Sequence, residues 1–190
     1  MKKKLLFFSI LLIASTAAVF SQSLKNNRNY YEPLPNGYKN IFLGMTVDET
    51  KQALLRNPDF GYHGERDVSL MPGTREVLIE TNAASKFSVS FLTRSWFQFY
   101  NDNLYIMTVN FNQDKMDYYS IFTTLCEKYG EPKSLNPQKA TWENSEITMI
   151  LEKPLSIKYI DNKIYNELSN YSNISKSAEE DVRQMFLDEF

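Results

Sequence analysis

Between residues 87 and 111 the chain concentrates its aromatic and β-branched residues in short alternating runs. Phe87, Val89 and Phe91 are separated by Ser88 and Ser90, the period-two pattern of a strand with one face buried. Two further runs, 95–100 and 104–111, flank Asn101-Asp102-Asn103, residues that tolerate left-handed turn conformations. The pattern predicts a hairpin at the centre of an antiparallel sheet. A three-residue loop sets Tyr100 opposite Leu104, Phe99 opposite Tyr105 and Phe97 opposite Met107. Phe97, Phe99, Tyr105, Met107, Val109 and Phe111 then share one face, and Trp96, Gln98, Tyr100, Leu104, Ile106, Thr108 and Asn110 the other. A shift of one residue would mix these sets, so the clean partition supports the register.

Helical spacing appears on both sides of this hairpin. Thr46 and Glu49 form a capping box that starts a short helix, with Val47, Ala53 and Leu54 inward, and Asn57-Pro58 stops it. Residues 59–67 read as a loop, and 68–71 with 76–81 flank Pro72-Gly73 as a strand pair. Residues 114–129 place Tyr118, Ile121, Phe122, Leu125, Cys126 and Tyr129 along one helical side, closed by Gly130 and Pro132. Strands are expected at 140–143, 146–152 and 156–160, separated by Asn144-Ser145 and Lys153-Pro154. One or two helical turns follow at 162–168, then a polar linker at 170–175. Ser177-Ala178-Glu179-Glu180 makes a second capping box before a last helix carrying Val182, Met185 and Phe186.

The expected fold class is α+β: an antiparallel sheet with two principal helices packed on one face and an extra C-terminal helix. A degenerate helix-plus-strands duplication is suggested by an echo between Tyr100-Asn101-Asp102-Asn103-Leu104-Tyr105 and Tyr159-Ile160-Asp161-Asn162-Lys163-Ile164-Tyr165. Chance would supply such an echo equally well in a chain rich in Asn and Tyr. The expected divisions are a signal peptide at 1–21, a flexible leader at 22–40, the α+β domain at 41–170, and a C-terminal linker and helix at 171–190.

The signal peptide rests on Lys2-Lys3-Lys4, an apolar run from 5 to 20, and small residues Val19 and Ser21 before Gln22. That run is short for a span of about 20 residues, and no later segment replaces it, so no transmembrane segment is expected after cleavage. No cysteine stands at the cleavage point to carry a lipid. The expected product is exported, periplasmic or secreted, and non-lipidated. Removing three lysines from 21 basic residues leaves 18 against 23 acidic ones, a net charge of −5 without a basic block, which argues against nucleic acid. Cys126 has no second cysteine to pair with, and its helical apolar setting reads as a buried thiol.

Leu43-Gly44-Met45-Thr46-Val47-Asp48-Glu49, continuing to Leu54, resembles the opening of small exported bacterial domains of the SmpA/OmlA (BamE-like) and β-lactamase-inhibitor-protein-like group. Tyr129-Gly130-Glu131-Pro132 looks like the helix ending that recurs there. The resemblance covers about a sixth of the chain, lacks the lipid-bearing cysteine of the lipoproteins, and carries over no functional residue. It implies a cofactor-free scaffold that binds other proteins of the cell envelope.

No phosphate loop, nucleophile elbow, Cys-x-x-Cys or His-Glu-x-x-His occurs, so no catalytic residue, metal ligand or cofactor is assigned. The single histidine, His63, lies in the 59–67 loop, and a dyad with Cys126 would need that loop to reach a thiol expected to be buried. Glu179-Glu180 and Asp188-Glu189 read as a solvated helix face. What remains is surface. Trp96, Gln98, Tyr100, Leu104 and Ile106 form a candidate binding face, aromatics framed by polar residues as at protein interfaces. Against this stands a second-layer core, with the C-terminal helix or the 59–67 loop folded over them. The expected function is a non-enzymatic protein-binding or assembly module whose partner is another envelope protein. The alternative is a binder of a small apolar ligand or peptide in a pocket between sheet and helices, and an envelope hydrolase comes third.

Overall fold

The structure of the protein is a computed structural model that describes residues 30–64, 67–69, 76–81 and 90–187, with the backbone alone at 67–69, 173–182 and 186. The expected signal peptide and the alternating residues Phe87 and Val89 lie outside these. Contacts divide the chain after Tyr31, and the fold below belongs to Glu32–Phe190.

Two small strands come first, β1 (Gly37–Tyr38) and β2 (Ile41–Phe42), then α1 (Val47–Leu55) and a 3-10 turn (Pro58–Phe60). Strands β3 (Asp67–Ser69), β4 (Glu76–Glu80), β5 (Trp96–Tyr100) and β6 (Asn103–Asn110) follow. A second helix, α2 (Tyr118–Tyr129), precedes β7 (Ser134–Leu135), β8 (Lys139–Glu143), β9 (Ile147–Glu152) and β10 (Ser156–Asp161), and α3 (Asn162–Leu187) ends the described chain. The eight later strands form one antiparallel sheet in the order β3-β4-β5-β6-β10-β9-β8-β7. A helix followed by a four-strand meander therefore occurs twice, and the two meanders meet through their last strands, β6 and β10. The Tyr-Asn echo does not mark this duplication. Its first copy is the β5–β6 turn, whereas its second is the passage from β10 into α3.

Helices α1 and α2 lie on one face of the sheet, where Ala53 and Leu54 of α1 and Ile121 and Leu125 of α2 join Phe97, Phe99, Met107, Val109, Met149 and Leu151 in one core. Thr46 starts α1 with the expected capping box, its side chain accepting from Glu49 N while Glu49 reaches back to Thr46 N. Asp117 starts α2, later than the 114–129 pattern suggested. The reason is Asn112, whose side chain accepts from Asp114 N and holds a turn there.

The central hairpin differs in register from the sequence reading. Its turn has two residues, Asn101 and Asp102, at φ 48° and 63°, and pairs Tyr100 with Asn103 and Phe99 with Leu104. A bulge then restores the expected Gln98–Ile106 and Phe97–Met107 pairs, with Tyr105 as the extra residue. Leu104 is thereby turned into the core and Tyr105 to the opposite face, the reverse of the expectation. Beside Leu104, where β10 has ended, the chain before α1 takes over the pairing. Leu104 N donates to Met45 O at 2.9 Å, Gly44 N donates to Leu104 O at 2.8 Å, and Val47 N donates to Asp102 Oδ1 at 3.0 Å.

Residues 32–40 are not a loose leader. Glu32 N donates to Lys128 O at 2.7 Å, Leu34 and Tyr38 pack on the core, and β1 pairs with β2. A Cβ on Gly37 would run into the Ile41 carbonyl oxygen, so this close hairpin needs glycine there. At the other end, α3 runs unbroken through the expected linker and the second capping box. No Gly or Pro occurs between 162 and 187, and a polar run without a breaker does not end a helix. Phe91 also departs from expectation: it is 51% exposed while Ser90 is buried, and Lys115 Nζ stands 5.9 Å from its ring. No helix among the described residues is long and apolar enough to cross a membrane.

Candidate functional site

The face opposite α1 and α2 carries Leu78, Trp96, Gln98, Tyr100, Ile106, Thr108, Lys158, Ile160, Thr148 and Ile150 by strand register. The start of α3 covers part of it. Ile164 and Leu168, four residues apart on one side of the helix, pack on Tyr105, Ile106 and Ile160, with Tyr100 and Ile150 at the margin. The five proposed face residues therefore divide. Leu104 is fully buried in the other layer, Ile106 is under α3, and Trp96, Gln98 and Tyr100 remain half-buried on the β5 side. Trp96 is also engaged, its Nε1 donating to Glu80 Oε1 at 3.3 Å, while Glu80 pairs with Arg94 at 3.0 Å. This face is in part a second-layer core.

A different surface is more open. Tyr118 and Phe122 stand one turn apart on α2, and their rings stack at 6.4 Å between centroids with planes 10° apart. Phe122 leans in turn on Trp142 of β8 at 6.1 Å. Trp142 is buried and donates from Nε1 to Gly130 O at 2.7 Å, which ties the end of α2 to the sheet. The stack runs from this buried indole outward to a cleft of about 480 Å³ lined by Tyr118, Tyr119, Phe122, Leu135, Pro137 and Lys153. Tyr119 is 71% exposed and Leu135 is 62% exposed, large apolar side chains left in water at its mouth.

The opposite wall is rigidly built. Asn136 Oδ1 accepts from both Gln138 N and Lys139 N at 2.9 Å, and Lys153 N donates to Gln138 O at 2.9 Å. Lys153 Nζ lies 5.5 Å from the Tyr118 ring centroid, a cation over an aromatic face. It has no carboxylate partner among the described residues. The Tyr118 hydroxyl stays protonated, its pKa raised by burial, and donates to Leu151 O at 3.5 Å. The cleft can thus offer ring faces, apolar contact and one positive charge. Sequence reading placed Tyr118 and Phe122 on the buried side of α2. Only the position of β7 beneath the helix end shows that their outer edges are uncovered.

Cys126 sits half-buried on α2, its thiol pushed up first by burial and then by Glu131, which disfavours the thiolate a nucleophile needs. His63 is exposed. Among the described residues no cluster of His, Cys, Asp and Glu could hold a metal ion. The side chains of Glu179 and Glu180, and residues 188–190, lie outside the described part. Residues 36–171 match the TP0088 domain. No curated protein and no solved structure matches the chain.

Proposed function

The chain belongs to the TP0088 domain family, whose match covers both helix-and-meander units, and from its N-terminal sequence and its open cleft we propose that it is an exported, non-catalytic binding module of the cell envelope. Its α2–β7 cleft takes an apolar segment of a protein partner. The observation that carries this reading is the exposure of Tyr119 and Leu135 beside the stacked rings of Tyr118 and Phe122, an aromatic and aliphatic patch set on rigid elements. The Trp96–Tyr100 strip serves less well, since α3 covers its neighbours and Glu80 engages its indole. Export is supported by the basic start and short apolar run of residues 1–21, with Gln22 as the first residue of the mature chain.

A second reading has a specific basis: a cleft of about 480 Å³ falls in the size range of small-ligand sites, so a small apolar molecule is the alternative occupant. Photo-crosslinking separates the two. With a photoreactive residue at position 119 or 135 in the producing cells, a polypeptide adduct is expected, and the same group at position 98 should give none. An adduct at 98 alone would overturn the choice of site, and a low-mass adduct at 119 would favour the small ligand.

A further inference from the structure

Strand β7 is the last in the sheet, and its pairing leaves one residue unused at the edge of the cleft. Asn136 N donates to Lys139 O at 2.9 Å, so 136 and 139 are a hydrogen-bonded pair. Antiparallel alternation then makes Ser134 and Thr141 another such pair, and Leu135 with Ala140 the pair between them. The N–H and C=O of Leu135 therefore point away from β8, off an edge that no other strand among the described residues pairs with. Its side chain shares a face with Ala140, which is in the core beneath the helices. Leu135 thus presents an outward donor and acceptor alongside an exposed side chain at the mouth of an aromatic cleft.

Resting on the cleft reading above, we propose that the occupant is an extended polypeptide segment that adds to β7 as a further antiparallel strand. The residue opposite Leu135 exchanges both backbone hydrogen bonds with it and places its side chain against Tyr119 and Phe122. Pro132 and Pro137 lie on either side of β7, and proline has no N–H to give, so the shared ladder is short. Backbone pairing fixes register, and the cleft supplies selectivity. The charge in the cleft is that of Lys153, which has no ion-pair partner among the described residues, whereas nearby Lys133 is joined to Glu143 at 3.0 Å. The segment accordingly carries a carboxylate two residues from its apolar anchor, on the same side of the strand.

The test is an NMR titration of the full mature chain with blocked heptapeptides bearing a central phenylalanine and, two residues on, glutamate or glutamine. Each is made with and without N-methylation of the phenylalanine. The glutamate peptide is expected to shift Tyr119 and Leu135 signals and to protect the Leu135 amide from exchange. N-methylation should weaken binding by about tenfold, the effect of one lost hydrogen bond. Lys153→Gln should weaken the glutamate peptide by about fivefold more than it weakens the glutamine peptide, and an equal effect on both would remove the carboxylate from the proposal. Equal binding of the N-methylated and parent peptides, with shifts still at Tyr119, would overturn strand addition and leave the cleft reading in place. Shifts confined to Trp96, Gln98 and Tyr100 would defeat the cleft reading itself. If a small apolar probe such as indole moved the cleft signals while neither peptide did, the polypeptide occupant would be ruled out.

Discussion

The two halves of the sheet are built to one plan and finished differently. In the first, the aromatic side chains meet edge to face and are sealed: Tyr38 lies 6.2 Å from both Phe60 and Phe111, and Phe60 lies 5.7 Å from Phe97. Phe60 and Phe97 are wholly buried, because the β1–β2 hairpin and the 3-10 turn fill the space beside α1. In the second half, Trp142, Phe122 and Tyr118 form a row that begins in the core and ends in water. Nothing among the described residues plays the part of that hairpin and turn at the open end of α2. The same helix-on-meander unit yields a closed core where extra chain plugs it, and a cleft where that chain is lacking.

The largest test of this contrast is Phe97→Ala, which opens a cavity at the sealed centre. It should cost about 3–5 kcal/mol by denaturant unfolding, and a cost under 1 kcal/mol would show the first half to be loosely packed. Trp142→Phe keeps an aromatic ring but strands the Gly130 carbonyl, and should cost about 1–3 kcal/mol. Within α1, Thr46→Ala removes the capping box and should cost about 1 kcal/mol. Thr50→Val should instead stabilise, by up to about 1 kcal/mol, because the Thr50 hydroxyl is buried without a partner among the described residues. Tyr119→Ala and Leu135→Ser touch the open end, and each should change stability by less than about 0.5 kcal/mol.

A pH effect belongs to the second half as well. The Ser120 hydroxyl, and then its backbone N–H, donate to the Asp117 carboxylate and hold its pKa below the ordinary carboxylate value. A group depressed in the folded state adds stability above its unfolded pKa, and that contribution fades as pH falls through the folded value. Asp117→Ala should therefore flatten the acid limb of the melting profile while narrowing the difference from the native chain at low pH.

Much of this architecture was legible in the chain. The capping box at Thr46, the helix ending at Gly130 and the last three strands of the second meander all rest on local rules and hold to within a few residues, whereas the two-residue β7 was not expected. The hairpin register was harder. Beside its bulge Gly44 and Met45 pair with Leu104, a contact across some sixty positions that no local pattern contains. The continuous α3 was missed for the opposite reason, since polarity was read as a linker where no residue breaks a helix. The candidate face was half legible: parity placed Trp96, Gln98 and Tyr100 correctly together, while the bulge removed Leu104 and α3 covered Ile106. The cleft left no local signal, because Tyr118 and Phe122 look like core residues until the edge strand stops short beneath them.

Amide hydrogen exchange with and without a captured partner tests the central claim most directly. Protection should appear at Tyr119, Phe122 and Leu135 and at the 136–139 turn, with 96–100 unchanged. Protection across 96–100, with the α2 and β7 amides unaffected, would contradict it.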